Sequence, residues 1–318
     1  MQNTVKITRT KSYVPDVKKK IRIVTFSDLH FSKKMKIEKM SSLLNLVSAW
    51  DPNYIFWLGD NLDDTNVLED YDKREEFLSI CKRSGMVAPT AISLSDHDMR
   101  YRMGEHIVED FNQDFWQEID NMSNVHVLNN SAYEDEYLHV VGYTMPTYYF
   151  HRAYPLPKDS FCSLTRKDED VYVLIEDLKK KQDLFTPVNG KLNELLFHSP
   201  LNLKNSIVQD LLSGFEHIHS GHMHEGLTPP ILDEIAPKTL GMISPQRTLF
   251  PKNAKGCFQT HYGTLCIISG GITKIAESQK AVLQHLNHLF PIHIDILDIE
   301  QGEKVKKYKR EYYYQSLN

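Results

Sequence analysis

Five short stretches of the 318-residue chain carry side chains suited to holding metal ions. They are Asp28-Leu29-His30, Gly59-Asp60-Asn61-Leu62-Asp63, Ser95-Asp96-His97-Asp98, His198 within LLFHSP, and Gly221-His222-Met223-His224. Together they offer the carboxylates of Asp28, Asp60 and Asp96 and the imidazoles of His30, His198, His222 and His224. Mixed oxygen and nitrogen donors suit borderline divalent ions. Seven ligands are too many for one tetrahedral ion but suit two ions that share a bridging carboxylate. Two ions ~3.5–4 Å apart can clamp the attacking and leaving oxygens of a phosphoryl displacement. In Asp28–His30 and His222–His224 an extended backbone would send both side chains to one side. Gly59 and Gly221, having no Cβ, let the backbone pass close to such a cluster.

These stretches must be positioned by something, and the pattern around them supplies strands. IRIVTFS (21–27), YIFWLG (54–59), PTAISLS (89–95), NELLFHS (193–199) and FEHIHSG (215–221) are short and apolar or β-branched, and each ends where a candidate ligand begins. Helical spacing appears over 36–50, 68–85, 105–119, 169–184 and 203–214. Further strands are expected at VHVLNN, YLHVVGYT, YGTLCIISGG and HIDILDIE. Strand–helix alternation argues for an α/β fold, and the late strands without helices between them argue for two sheets. Ligands of open α/β sheets sit at the carboxyl ends of strands. Residues 1–20 read as a short edge strand or ordered lead-in, 21–272 as the domain that carries the motifs, and 273–318 as a completing strand and tail of it. Two long loops, 144–168 and 225–261, interrupt the pattern; the aromatic stretch Tyr143–Tyr154 reads as a lid or a packed loop.

Composition excludes several classes. Hydrophobic residues at 41% and charged residues at 25% allow a sizeable core. A net charge of −5 gives no strong nucleic-acid signal. No apolar leader and no run of ~18 apolar residues is present, so no membrane association and a cytoplasmic location are expected. The four cysteines are scattered, which excludes a cysteine-rich zinc site.

The ordered set DxH, GDxxD, SDHD where the family has GNH[DE], a lone His and GHxH resembles the calcineurin-like metallophosphoesterase superfamily, in its bacterial branch, over about residues 21–272. The resemblance implies a four-layer α/β/β/α sandwich: two packed mixed sheets flanked by helices. It implies that Asp28, His30 and His224 bind one metal and that Asp96, His198 and His222 bind the other, with Asp60 bridging. The metals would be Mn, Fe or Zn, with Fe3+ an option at one position. His97 would be no ligand but the general acid that protonates the leaving group, while a metal-bridging hydroxide attacks. The expected substrate is a small-molecule phosphate ester; oligomeric state is left open.

One departure matters. The family has Gly-Asn where this chain has Ser95-Asp96. With asparagine, two divalent ions, two aspartates and a hydroxide leave the site one positive charge; Asp96 takes it to zero. That balance favours a monoanionic diester, or Fe3+ at one position. The alternative is a catalytically weakened metal-binding scaffold that recognises a phospho-ligand or a partner protein. Nearby, Asp63 and Asp98 are expected to orient the loop or His97, Arg100 to touch substrate or form a surface ion pair, and the run at 304–310 to be a solvated face. His217 and His219 are expected to be packed strand histidines, and His285, His288 and His293 surface or loop histidines.

Overall fold

A computed structural model describes residues 4–104, 106–146, 166–229, 239–244, 249–276, 284–303 and 308–317. In chain order the elements are β1 (Thr4–Val14), β2 (Ile21–Phe26), α1 (Ile37–Ala49), β3 (Tyr54–Leu58), α2 (Tyr71–Val87), β4 (Thr90–Ser93), β5 (Arg100–Met103), β6 (His106–Glu109), α3 (Gln113–Asp120) and β7 (Val125–Leu128). There follow β8 (Ser131–Glu134), β9 (Leu138–Tyr143), α4 (Arg166–Lys180), β10 (Leu192–Phe197), α5 (Ser206–Leu211), β11 (His217–Ser220), β12 (Gly256–Gln259), β13 (Leu265–Ile268), β14 (Ile292–Gln301) and β15 (Arg310–Ser316).

Two mixed sheets form the centre. The seven-stranded sheet has the order β15-β1-β14-β2-β3-β4-β7, and the six-stranded sheet the order β12-β13-β11-β10-β9-β8. Strands β2, β3 and β4 run parallel, as do β9, β10, β11 and β13. Alternation along these strands decides the packing. Ile23, Phe56, Leu58 and Ala91 meet Leu138, Val140, Leu196 and Ile267 between the sheets. Phe26, Ile55, Trp57 and Ile92 face the other way, onto Leu43 and Leu44 of α1, Phe77 of α2 and Phe115 of α3. On the far side, Val141, Leu195, Phe197 and Ile218 pack against Leu174 and Leu178 of α4 and Val208 of α5. The result is the expected four-layer α/β/β/α sandwich.

Helix starts follow from local chemistry. Asp70 accepts the Lys73 N–H ahead of α2, Asn112 accepts the Phe115 N–H ahead of α3, and Asn205 accepts those of Ile207 and Val208 ahead of α5. The capping asparagine at 112 also explains a departure from the sequence reading. The helix expected over 105–119 begins only at Gln113; His106–Glu109 instead pairs with Arg100–Met103 as a hairpin.

Strand β1 differs too. It is interior, with β14 parallel on one side and β15 antiparallel on the other. Its Thr8, Thr10 and Ser12 are buried, so an alternation that reads as solvent-facing points inward. The stretch 147–165, most of 230–248 and residues 304–307 lie outside the described residues, and with them most of the aromatic stretch and the basic run. Tyr143 itself is buried, stacked on Phe197. Among the described residues no helix is long and apolar enough to cross a membrane.

Candidate metal centre

The candidate ligands leave their strands on tight turns that are knitted to one another. Asp28 N–H donates to Gly59 O at 3.1 Å, and His30 N–H to Asp60 O at 2.8 Å. Across the sheets, Gly221 N–H donates to His198 O at 2.7 Å and His222 N–H to Asp28 Oδ1 at 3.0 Å. The backbone here is not extended. Asp28, His30, Asp60, His222 and His224 have φ of 52°, 45°, 52°, 64° and 46°, in the left-handed region that non-glycine residues seldom occupy. The paired ligands therefore converge through left-handed turns, not through the alternation of an extended strand. The glycines act as expected. A Cβ on Gly221 would lie 2.6 Å from Ser27 Cβ and 2.8 Å from Asp28 Oδ2; one on Gly59 (φ 88°) would lie 2.9 Å from His198 Nδ1.

Among the described residues, three groups have ligand atoms within 4.8 Å of one another and could hold metal ions: Asp28, His30 and His224; Asp60, His198 and His222; and His30, Asp60 and His97. Asp60 connects them. Its Oδ2 is 3.5 Å from His30 Nε2, and its Oδ1 is 3.4 Å from His198 Nε2. Ser95 steadies it, accepting the Asp60 N–H at 2.7 Å and donating to its carboxylate.

Backbone carbonyls fix the imidazoles. His198 Nδ1–H donates to Leu58 O at 2.6 Å and His224 Nδ1–H to Thr273 O at 2.9 Å, while His97 Nδ1 lies 2.6 Å from Asp63 O. Each such bond leaves Nε2 directed at the centre, the arrangement that orients metal-ligating histidines. Both ring nitrogens of buried His30 lack a hydrogen-bond partner. Buried polar atoms are seldom left so, and a cation would satisfy one of them. The donor set and this orphaned imidazole fit a borderline divalent ion.

Electrostatics agree. Burial pushes His30 and His222 down to about 4, so both are neutral imidazoles ready to ligate. Burial works against an ionised Asp60, but His97, His198 and His30 outweigh it and hold that carboxyl well below its usual range. His198 is desolvated as well, yet Asp60 raises it to about 10. A cation taken up here would displace that proton.

The remaining expectations divide. Asp96 is in none of the three groups; its Oδ2 lies 3.3 Å from Arg100 Nη1. His97, expected to be no ligand, has Nε2 3.9 Å from Asp60 Oδ2 and belongs to the third group. Asp98 ties two loops together rather than holding His97. It accepts the N–H groups of Asn61 at 2.9 Å, Leu62 at 2.9 Å and Ser95 at 3.0 Å. Burial and the charge of Asp60 push it up to about 7. Asp63 orients His97 through its carbonyl. His217 and His219 are strand histidines, bonded to Glu194 at 2.6 and 2.7 Å.

His293 is not at the surface: it is 2% exposed in β14, where it accepts Gly270 N–H and donates to Thr8 Oγ1. Beside it Glu225, directly after His224, takes Lys6 at 2.8 Å and Lys274 at 2.9 Å. Sequence reasoning missed this cluster because its members come from opposite ends of the chain and share no motif. No protein-family model matches the chain, and no curated protein matches it.

Proposed function

We propose that this chain is a phosphoric ester hydrolase that depends on two metal ions, Mn, Fe or Zn, as its resemblance to calcineurin-like metallophosphoesterases implies. The observation that carries the reading is Asp60, whose two oxygens face different histidines: Oδ2 at 3.5 Å from His30 and Oδ1 at 3.4 Å from His198. That is the placement a bridging carboxylate needs. Asp28, His30 and His224 would hold one ion; His198 and His222, with Asp60, the other. When bound, such a pair supplies Lewis acidity toward a phosphoryl oxygen and acidifies water toward neutrality.

The protein's own part is positional. Left-handed turns aim the ligands, and carbonyl bonds fix the tautomers, so the site is set before any ion arrives. His97, with Nδ1 2.6 Å from Asp63 O, turns Nε2 toward the centre; protonated there, it would pass that proton to the departing oxygen. The substrate class is a phosphate ester small enough to reach a centre whose carboxylates are almost fully buried.

The test is elemental analysis of protein purified without chelator, with turnover of bis-p-nitrophenyl phosphate and p-nitrophenyl phosphate in Mn2+. Two ions per chain and metal-dependent turnover are expected, both lost in Asp60→Ala. Protein that binds no ion and turns over neither ester would sink the proposal. The scaffold alternative draws on Asp96, which engages Arg100; bound ions without turnover would support it.

A further inference from the structure

We propose that Arg100 is a positioning residue that cancels the charge of Asp96 and so sets the affinity of the site for its second cation. The inference rests on the metallophosphoesterase reading and deepens it.

Arg100 opens β5, four residues after Asp96 and across the single turn His97–Met99. It is only 5% exposed. An arginine stays protonated at any working pH, and a buried guanidinium is costly unless a carboxylate faces it. Asp96 supplies such a carboxylate, with Nη1 to Oδ2 at 3.3 Å. The other arm, Nη2, lies 3.4 Å from Asp63 O and 2.7 Å from His97 Nδ1. The same guanidinium thus touches the departing residue of the motif, the carbonyl that orients His97, and His97 itself. Through His97, whose Nε2 lies 3.9 Å from Asp60 Oδ2, the pair borders the carboxylate that would bridge the ions.

The formal balance changes accordingly. A neutral asparagine at position 96 would leave the loaded site one positive charge, and an aspartate alone would take it to zero. Aspartate plus a buried guanidinium restores it. The chain holds a neutral ion pair where the family holds a neutral amide. The charge argument for preferring a monoanionic diester, or for Fe3+, therefore lapses: Arg100 supplies the missing cation.

The experiment is calorimetric titration of metal-free protein with Mn2+, for wild type, Arg100→Met, Asp96→Asn, the double variant and Arg100→Lys. Opposite signs are expected. Arg100→Met removes the cation paired with Asp96 and tightens the second Mn2+ about tenfold; Asp96→Asn removes the carboxylate paired with the guanidinium and loosens it about tenfold. The double variant and Arg100→Lys return to within about threefold of wild type. A merely structural role would loosen binding in both single variants. That result, or a double variant no better than the worse single, overturns the inference while the phosphoesterase reading stands. Wild-type protein that takes up fewer than two Mn2+ ions overturns both. If Arg100→Met does not fold, Arg100→Gln carries the same expectation.

Discussion

His97 occupies two geometries at once. Its Nδ1 lies against the Asp63 carbonyl, which turns Nε2 toward the centre for proton transfer, yet Nε2 also groups with His30 and Asp60 as a ligand would. One substitution separates the roles. His97→Ala should lower turnover of bis-p-nitrophenyl phosphate by about 10²–10⁴, the usual worth of a general acid, with metal content unchanged. Loss of an ion in that variant would make His97 a ligand instead. Residue identity in the five motifs was legible from the sequence because DxH and GHxH place donors within two positions of each other. Arg100 was visible only as a neighbour of His97. Its pairing with Asp96 depends on the turn between them and on burial, neither of which the spacing reports.

At the scale of elements, the centre depends on how closely the turn after β2 approaches the turn after β11. Gly221 is the contact point, with Ser27 and Asp28 inside the space of a methyl group. Gly221→Ala should cost about 2 kcal/mol or more in urea unfolding and, by displacing Asp28, weaken the first ion bound. Unchanged stability and metal uptake would show that the two turns can separate freely. The strands that carry ligands were readable because each is a short apolar run stopped by a motif. The interior place of β1, read as a short edge strand or lead-in, was not. The inward face of β1 carries hydroxyls, and Ser12 donates to His217 Nε2 at 2.7 Å, so the pattern mimics a solvated segment. The hairpin β5–β6 was hidden for a different reason: HIVE fits either period, and only the Asn112 cap places the start of α3 beyond it.

Across the whole molecule, the two sheets meet through more than apolar packing. Glu194 of β10 is fully buried, receives His217 and His219 of β11, and through His217 reaches Ser12 on the opposite sheet. Burial pushes its carboxyl up to about 7, with His219 opposing. The folded protein therefore keeps a proton that the unfolded chain loses near the ordinary glutamate value. This contribution to stability is complete below that value and is lost as pH rises toward about 7. Urea unfolding from pH 4.5 to 7.5 should show wild type losing stability with pH relative to Glu194→Gln. Parallel pH profiles would mean that Glu194 titrates alike folded and unfolded.

The order of strands in the larger sheet has a temporal consequence. Val5 is paired with Ile292, and the other flank of β1 is filled by β15. During synthesis on the ribosome, β1 emerges long before either of its partners and waits, unzipped on both edges, until residues 292–316 have been made. Nascent chains halted before that point would carry all five motifs but an unfinished sheet, and would be natural clients for chaperones.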